Sequence, residues 1–157
     1  MALEIERRFL IKNDSWKEFI NKTIFIEQGY LSKNLDDWII RIRFTGKGYK
    51  LALKKHIESF TNFEFEYTIP RKDGETIMSN LSYTIKKERF FLEVEKKFWI
   101  IDCFKENNYP LEIAEIELSN EKEDLILPTF ISKEITGLKN YSNFSLANKP
   151  FSKWKEE

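Results

Sequence analysis

Alternation of apolar and polar residues with a period of two dominates the chain. It predicts β-strands, whose successive side chains point to opposite faces of a sheet. The alternating segments are residues 3–10, 38–44, 49–54, 63–69, 83–91, 91–94, 98–104 and 111–118. Short turn sequences at 45–48 and 107–110 separate neighbouring segments, which favours antiparallel pairing. The pattern therefore predicts an α+β protein in which antiparallel strands dominate and a few helices pack on them.

Helical patterns are fewer and shorter than the alternating segments. One helix is predicted at 14–20 and a second at 75–81, each with apolar residues on one face. Pro128 divides residues 121–136 into two short helical pieces. The amphipathic residues 144–157 predict a C-terminal tail or a plug helix.

Length and composition predict a single domain over residues 1–157. Of the 157 residues 41% are apolar, which is enough for one buried core, and the 5 Gly and 4 Pro are too scattered to mark a linker. No apolar run approaches the roughly 20 residues that span a bilayer, and the first ten residues carry charges in place of an apolar leader. The sequence thus predicts a cytoplasmic protein with no membrane partner.

Charge and residue usage exclude several kinds of chemistry. Lys plus Arg and Asp plus Glu both number 26, so the net charge is zero and no general attraction to nucleic acid is expected. Cys103 is the only cysteine and His56 the only histidine. One residue of each kind cannot form an internal disulfide, a thiolate zinc site or a multi-histidine metal site. Any reaction must therefore use carboxylates, Lys, Arg or Tyr.

The charged residues of the predicted strands are sorted by sign. Pairs of like charge stand two residues apart, or four apart for Lys50 and Lys54, and therefore on one face of a strand, with apolar residues on the other face. These pairs are Glu4 and Glu6, Arg41 and Arg43, Lys50 and Lys54, Glu64 and Glu66, Lys87 and Arg89, and Glu115 and Glu117. Like charges on one face repel each other, so a merely solvated face gives no reason to keep the signs apart.

Two interpretations of these pairs follow. Any one pair is ordinarily part of the solvated face of an antiparallel sheet. The whole series favours a closed barrel with the charged face inward, where cations would hold a polyanion and carboxylates would hold hard divalent cations. Arg and Lys suit phosphate oxygens, and phosphoryl transfer needs mainly positioning and charge neutralisation.

A series of short motifs resembles the CYTH family, also called the triphosphate tunnel metalloenzymes. In chain order the motifs are EIERRFL at 4–10, EQGYL at 27–31, IRIRF at 40–44, LALKK at 51–55, FEFEYTIP at 63–70, IKKERF at 85–90, WIIDCF at 99–104, LEIAEIEL at 111–118 and EITGLKNYSNFSLA at 134–147. Each motif alone is weakly specific, but together they cover nearly the whole chain in family order. The resemblance implies an eight-stranded antiparallel β-barrel, the triphosphate tunnel, with a charged interior.

The resemblance also implies roles for individual residues. Glu4 and Glu6 match the first positions of an N-terminal ExExK signature and would be catalytic metal ligands. The metal-binding set would be Glu4, Glu6, Glu115 and Glu117. The basic lining that binds substrate would be Arg8, Arg41, Arg43, Lys54, Lys87 and Arg89. Glu64, Glu66 and Asp102 would support these groups.

Arg8 departs from the family signature, in which the fifth position is Lys. An arginine stays protonated, so Arg8 can bind phosphate but cannot serve as a base. We therefore expect Arg8 to be a catalytic residue that contacts phosphate and transfers no proton. This departure keeps a non-catalytic polyphosphate-binding module open as an alternative.

The short length and the motifs resemble the small bacterial members of the family that hydrolyse inorganic triphosphate. We therefore expect hydrolysis of tripolyphosphate to pyrophosphate and phosphate with Mg²⁺ or Mn²⁺. Adenylate cyclase, thiamine triphosphatase and nucleoside triphosphatase activities share the tunnel and stay open as alternatives. The expected partner is the small-molecule triphosphate, with no nucleic acid, and a homodimer is left open.

Overall fold

The computed structural model describes residues 2–32, 34 and 36–156, and within them β-strands predominate. The strands are β1 (Leu3–Ile11), β2 (Ile20–Tyr30), β3 (Ile39–Phe44), β4 (Tyr49–Glu58), β5 (Thr61–Ile69), β6 (Thr84–Val94), β7 (Lys97–Phe104), β8 (Glu112–Glu117) and β9 (Ile131–Glu134). The α-helices are α1 (Arg71–Ser79) and α2 (Asn143–Asn148). Short 3₁₀ helices occur at Ser15–Phe19, Glu106–Asn108, Lys139–Tyr141 and Phe151–Glu156.

Strands β1 to β8 form a closed antiparallel barrel. Their hydrogen-bonded order is β5-β4-β3-β2-β6-β7-β8-β1, and the first residues of β1 pair with β5 to close the ring. The last residues of β1 pair instead with β9, which lies outside the ring. The predicted eight-stranded antiparallel barrel is confirmed, with a ninth strand added at its edge.

The period-two alternation decides which face of each strand lies inside the barrel. On β1 and β8, Glu6 stands opposite Glu117 and Arg8 opposite Glu115, so that the charged positions of both strands share the inner face. The intervening Phe9 and Ile116 point outward into an apolar cluster. This arrangement reverses the usual apolar interior, and it requires an apolar layer on the outside of the barrel.

The connecting segments supply that outer layer in two clusters. In the first, Trp99 and Phe9 of the barrel pack with Trp16 from the Ser15–Phe19 helix and with Phe130. The second cluster joins Ile85, Phe104, Leu111 and Ile113 to Ile135 and to the α2 residues Leu146 and Ala147. The prediction that a few helices pack outside the barrel is confirmed.

The turns use glycine where the backbone or the packing requires it. Gly46 has a φ of +90° in the 45–48 connection between β3 and β4, a conformation that favours glycine. Gly74 brings α1 against Tyr49, because a Cβ added at this glycine would lie 2.1 Å from the Tyr49 ring. Residues 45–48 thus form the hairpin predicted from the sequence, and the 107–110 connection likewise joins the antiparallel pair β7 and β8.

Some local predictions were wrong. The helical pieces predicted at 121–136 are absent from this described stretch, which contains turns and β9, because β9 gains its hydrogen bonds from β1. The segments predicted separately at 83–91 and 91–94 form the single strand β6. Strand β2 was not predicted, because its first half is exposed and polar and interrupts the alternation.

The helix predictions were closer to the structure. The segment predicted at 14–20 is the short 3₁₀ helix Ser15–Phe19, and β2 begins at Ile20. The segment predicted at 75–81 is α1, which begins earlier, directly after Pro70. Residues 144–156 contain most of α2 and the Phe151–Glu156 helix, and Met1 and Glu157 lie outside the described residues. None of the helices in the described chain is long and apolar enough to cross a membrane.

Candidate active site

The barrel encloses a cavity of about 1090 Å³ that is lined mainly by charged side chains. Two smaller cavities, of about 480 and 180 Å³, adjoin Asp37 and His56. Glu6 and Lys54 line all three cavities, so these two residues mark where the spaces meet.

Nearly all of the predicted site residues lie at this lumen. The large cavity is lined by Glu4, Glu6, Arg41, Arg43, Lys54, Glu64, Glu66, Arg89, Glu115 and Glu117. Arg8 lines the two smaller cavities. Lys87 and Asp102 are almost completely buried behind the lining and contact it through Arg89 and Asn143.

Four glutamates on three neighbouring strands form what we call the acidic wall: Glu4 and Glu6 on β1, Glu64 on β5, and Glu117 on β8. Burial raises the pKa of Glu4 to about 7, with a further contribution from Glu64. Burial and the neighbouring Glu115 raise the pKa of Glu6 to about 7. The pKa of Glu117 is also raised, by burial and by repulsion from Glu4 and Glu6. Burial and like-charged neighbours therefore disfavour the ionised form of these carboxyl groups, and a cation beside them would favour it.

Lys54 on β4 supplies the counter-charge at the edge of the acidic wall. Its Nζ lies 2.5 Å from Glu4 Oε1 and 3.6 Å from Glu6 Oε1. Although burial opposes the charged form, Glu6 and Glu4 raise the pKa of Lys54 above its usual value. Asn62 also donates from Nδ2 to Glu4 Oε1 at 3.3 Å. The ammonium thus occupies the space between the two carboxylates.

Three cations on the far side of the lumen form what we call the basic wall: Arg43 on β3, and Lys87 and Arg89 on β6. Burial, together with the nearby Arg41 and Arg89, lowers the pKa of Arg43 to about 9. Burial, opposed by Asp102 and reinforced by the two arginines, lowers the pKa of Lys87 to about 7. Burial is the main cause of both shifts, and the repulsion between neighbouring cations adds to it.

Asp102 on β7 is the counter-charge of the basic wall. Arg89 donates from Nε to Asp102 Oδ1 at 2.8 Å and from Nη2 to Oδ2 at 2.9 Å, and Lys87 Nζ lies 2.7 Å from Oδ2. Despite complete burial of the carboxylate, Arg89 and Lys87 hold the pKa of Asp102 well below its usual range. This bidentate pairing fixes the direction of the Arg89 guanidinium.

Two further arginines, Arg41 and Arg8, pair with glutamates at the lumen. Arg41 Nη2 lies 2.8 Å from Glu66 Oε2 and 3.7 Å from Glu64 Oε1, but the buried Arg41 Nε has no hydrogen-bond partner among the described residues. Arg8 Nε donates to Glu115 Oε2 at 3.3 Å, and Arg8 Nη1 donates to the Tyr141 carbonyl at 2.9 Å. Although Glu115 is buried, Arg8 and Arg89 hold its pKa below the usual value.

The strand order places the two walls opposite each other. Around the closed ring, β1 and β2 are separated by three strands in either direction. The acidic wall is centred on β1 and the basic wall on β2, while Lys54 and Asp102 stand on the intervening strands β4 and β7. The lumen is therefore polarised across its width, with one side suited to a cation and the other to a polyanion.

The donor set of the acidic wall fits a divalent cation in its chemistry. Carboxylate oxygens are the ligands that Mg²⁺ and Mn²⁺ prefer, and a bound cation would favour the ionised forms of Glu4 and Glu6, whose pKa values are raised mainly by burial. The described residues do not, however, form a preassembled group of three or more His, Cys, Asp or Glu ligands. The carboxylates are arranged instead around the Lys54 ammonium.

The basic wall, together with the neighbouring Arg41, fits a polyanion. Arg41 Nε is a buried donor that lacks an acceptor, and no ion pair joins Arg43 to a carboxylate within the described part of the chain. A buried donor without a partner is costly, so an acceptor from a ligand would be favoured here. Three residues outside the predicted set complete this side: Gln28, Tyr30 and Asn143. Gln28 and Tyr30 lie in the EQGYL motif and Asn143 in the EITGLKNYSNFSLA motif, but neither motif assigned them a role, because strand β2 was not predicted and the bond from Lys87 to Asn143 spans 56 residues.

Comparisons with known proteins place the chain among triphosphatases. No protein-family model matches it. It is 34% identical over 159 residues to the inorganic triphosphatase of Acetivibrio thermocellus, across 99% of this chain and 100% of that protein. It is 27% identical to the inorganic triphosphatase of Nitrosomonas europaea, across 92% of this chain and 96% of that protein. The crystal structure of the inorganic triphosphatase NE1496 matches with a TM-score of 0.67 at 27% identity, across 92% of this chain and 97% of that one.

Proposed function

The chain belongs to the CYTH family, the triphosphate tunnel metalloenzymes, and from this premise we propose that it hydrolyses inorganic triphosphate to pyrophosphate and phosphate with the help of a divalent cation. The substrate is proposed from the two relatives named inorganic triphosphatase. The alignment with the first of them runs through the whole of both chains, so no part of that protein lacks a counterpart here.

The observation that carries the proposal is the polarised lumen. Tripolyphosphate spreads its negative charge over many oxygens, and Arg43, Lys87 and Arg89 bring three cationic side chains together on one side of the lumen. Burial lowers the pKa of Arg43 and of Lys87, whereas Asp102 raises the pKa of Arg89. A divalent cation would offset the negative charge on the opposite side, where burial and like-charged neighbours raise the pKa values of Glu4 and Glu6. Positioning and charge neutralisation are the main requirements of phosphoryl transfer, and the two walls supply both.

Glu4, Glu6, Glu115 and Glu117 are the residues that would hold the cation. Glu115 differs from the others, because its pKa is lowered by Arg8 and Arg89, so it stays ionised over a wide pH range. When bound, the cation would supply positive charge at the phosphoryl oxygens and make water a better nucleophile. The choice between Mg²⁺ and Mn²⁺ is left to experiment.

The basic residues would hold the triphosphate in a fixed direction. Arg43 and Arg89 offer planar donors to the phosphate oxygens, and Asp102 keeps the Arg89 plane in place. Glu64 and Glu66 would play the supporting role predicted for them by directing Arg41. Water attacks the terminal phosphorus, the bond from that phosphorus to the bridging oxygen breaks, and pyrophosphate leaves with the bonding electrons.

Arg8 would act through charge alone. Its guanidinium is fixed by Glu115 and by the Tyr141 carbonyl, and a guanidinium offers hydrogen-bond donors but no acceptor, so Arg8 would not take a proton from water. Lys87 differs, because a pKa of about 7 leaves a fraction of its Nζ neutral near neutral pH. Proton acceptance would therefore fall to Lys87 or to the phosphate itself rather than to Arg8.

Phosphate release by the purified protein tests the proposal. Tripolyphosphate, ATP and thiamine triphosphate are compared with Mg²⁺, with Mn²⁺ and with a chelator. We expect rapid, chelator-sensitive release from tripolyphosphate alone. Turnover of ATP or thiamine triphosphate instead would favour the nucleoside triphosphatase, cyclase or thiamine triphosphatase alternatives, and binding without turnover would favour the polyphosphate-binding module.

The other expectations from the sequence stay predictions. These are the cytoplasmic location, the single domain over 1–157 with its tail or plug at 144–157, the lack of a nucleic-acid partner and the option of a homodimer. Size-exclusion chromatography with light scattering tests the last of these directly.

A further inference from the structure

Arg43 differs from the other cations at the lumen in the kind of side chain that holds it. Its Nε donates to the neutral Gln28 Oε1 at 2.8 Å. Arg89, Lys54 and Arg41, by contrast, each lie within 2.8 Å of a carboxylate oxygen. Carboxylate pairing offsets the charge of these cations, whereas Gln28 directs Arg43 and leaves its charge intact.

Gln28 is itself held in place from both ends of its amide. While Oε1 accepts from Arg43, Nε2 donates to the Tyr30 hydroxyl at 2.7 Å. The side chain is fully buried, and β2 places it at the centre of the basic wall, facing one of the smaller cavities. A buried amide with both of its ends bonded has a single favoured orientation, so the Arg43 Nε direction is fixed as well.

The hydrogen bond from Arg43 Nε to Gln28 also directs the two terminal nitrogens of Arg43, Nη1 and Nη2. No described side chain or carbonyl accepts a hydrogen bond from its Nη1 or Nη2, and the residue lines the large cavity. A guanidinium held only through Nε keeps two terminal nitrogens for bidentate recognition of phosphate.

We propose that Gln28 is the positioning residue for anion binding in this tunnel: as a neutral acceptor at the centre of the basic wall, it fixes the Arg43 guanidinium without offsetting its charge. This inference rests on the proposed function for the identity of the anion. A carboxylate at position 28 would pair with Arg43 and compete with the substrate for it. The neutral amide directs Arg43 without this competition.

Two substitutions separate the roles of direction and charge. Gln28→Glu keeps the size and the acceptor but adds a negative charge, and Gln28→Met keeps the length but removes the acceptor. Asn107→Asp, at an exposed position in the connection between β7 and β8, adds the same charge outside the barrel and serves as the matched control. Tripolyphosphate binding is measured by calorimetry in the presence of a chelator, so that turnover does not contribute.

We expect Gln28→Glu to weaken tripolyphosphate binding by at least about tenfold, as close charge pairs do. Gln28→Met should weaken it by roughly threefold, because one directing hydrogen bond is lost while the Arg43 charge remains. Asn107→Asp should match the wild type. Unchanged affinity in Gln28→Glu would overturn the inference, and so would equal losses in the Glu and Met variants.

A double-mutant cycle shows whether the effect passes through Arg43. In an Arg43→Gln background, Gln28→Glu should cost less than about twofold, since the charge it offsets has been removed. An undiminished loss in that background would overturn the inference even if the single variants behave as expected. Because these binding measurements need no hydrolysis, a failure of the proposed triphosphatase activity would be recognised separately, as wild-type protein that releases no phosphate.

Discussion

Burial and like-charged neighbours shift pKa values in both the acidic and the basic wall of the tunnel, but in opposite directions. Burial and like charges raise the pKa values of Glu4 and Glu6 to about 7, so these acids resist ionisation. Burial and like charges lower the pKa values of Arg43 to about 9 and of Lys87 to about 7, so these bases resist protonation. Each wall is therefore destabilised in its charged form and gains from a ligand of the opposite sign.

The counter-ions at the edges of the walls differ in how far they neutralise their neighbours. Asp102 is fully engaged, with contacts to both Arg89 and Lys87 of 2.9 Å or less. Lys54 Nζ lies 2.5 Å from Glu4 Oε1 but 3.6 Å from Glu6 Oε1, and among the described residues it forms no ion pair with Glu117. The basic wall is thus built rigidly, whereas the acidic wall keeps carboxylates that a bound cation could recruit.

Removing a carboxylate from the acidic wall is expected to have the largest effect. Glu6→Ala or Glu117→Ala should lower metal-dependent phosphate release by about a thousandfold or more, because the ligand set of the cation is broken. The barrel should stay folded, as checked by circular dichroism. Glu93→Ala, at an exposed position on β6, is the matched control and should retain full activity. Retained activity in both lumen variants would contradict the assigned metal site.

Removing a cation from the basic wall should have a smaller but still large effect. Lys87→Met should lower kcat/KM for tripolyphosphate by roughly a hundredfold, because a buried charge that neutralises the substrate is lost. Asp102 retains its two bonds to Arg89, so the fold should survive. The adjacent Lys86, which pairs with Glu106 outside the barrel, provides the control Lys86→Met. Equal kinetics for the two variants would remove Lys87 from the substrate site.

The opposed pKa shifts predict opposed pH dependences for the two kinds of ligand. As pH falls through about 7, Glu4 and Glu6 take up protons, so Mn²⁺ affinity should fall by about tenfold to a hundredfold per pH unit at its steepest, for one or two protons displaced. As pH rises above about 7, Lys87 loses its proton, so the affinity for sulfate should fall. Sulfate is the probe because its own charge is constant over this range. Parallel pH profiles for both ligands would show that the walls do not titrate separately.

The sequence predicted the barrel and most of the lumen because both depend on local alternation and on motifs in chain order. A period of two places Glu4 and Glu6, or Arg41 and Arg43, on one face without any knowledge of the partner strands. The resemblance to the family then supplied the closure of the sheet, which alternation alone could not specify. Strand β2 escaped prediction because its exposed first half breaks the pattern.

The features that escaped prediction depend on contacts between distant parts of the chain. Gln28 is functionally interesting only because Arg43 lies across from it in the β2 and β3 register. Lys54 was predicted as a substrate-binding residue, but its position between Glu4 and Glu6 follows from β4, β5 and β1 meeting at the closure of the ring. Pairings of this kind arise from tertiary structure, which a single sequence does not display.

Lys54 allows the smallest and most specific test of the two walls, because it is a cation that contacts the acidic side. At about pH 9 the glutamates of that wall are ionised, and the raised pKa of Lys54 keeps its ammonium charged. Lys54→Gln should then bind Mn²⁺ about threefold to tenfold more tightly, because a positive charge beside the metal ligands has been removed. The same variant should bind tripolyphosphate a few times more weakly in chelator, since the lumen has lost one cation.

A rise in Mn²⁺ affinity together with a fall in tripolyphosphate affinity would distinguish Lys54 from a cation of the basic wall. Lys55→Gln is the matched control, because Lys55 is its neighbour on β4 but pairs with Asp37 outside the acidic wall. That control should leave both affinities within about twofold of the wild type, as expected of an exposed pair. If Lys54→Gln weakened Mn²⁺ and tripolyphosphate binding together, the ammonium would be maintaining the shape of the site rather than competing with the metal for Glu4 and Glu6.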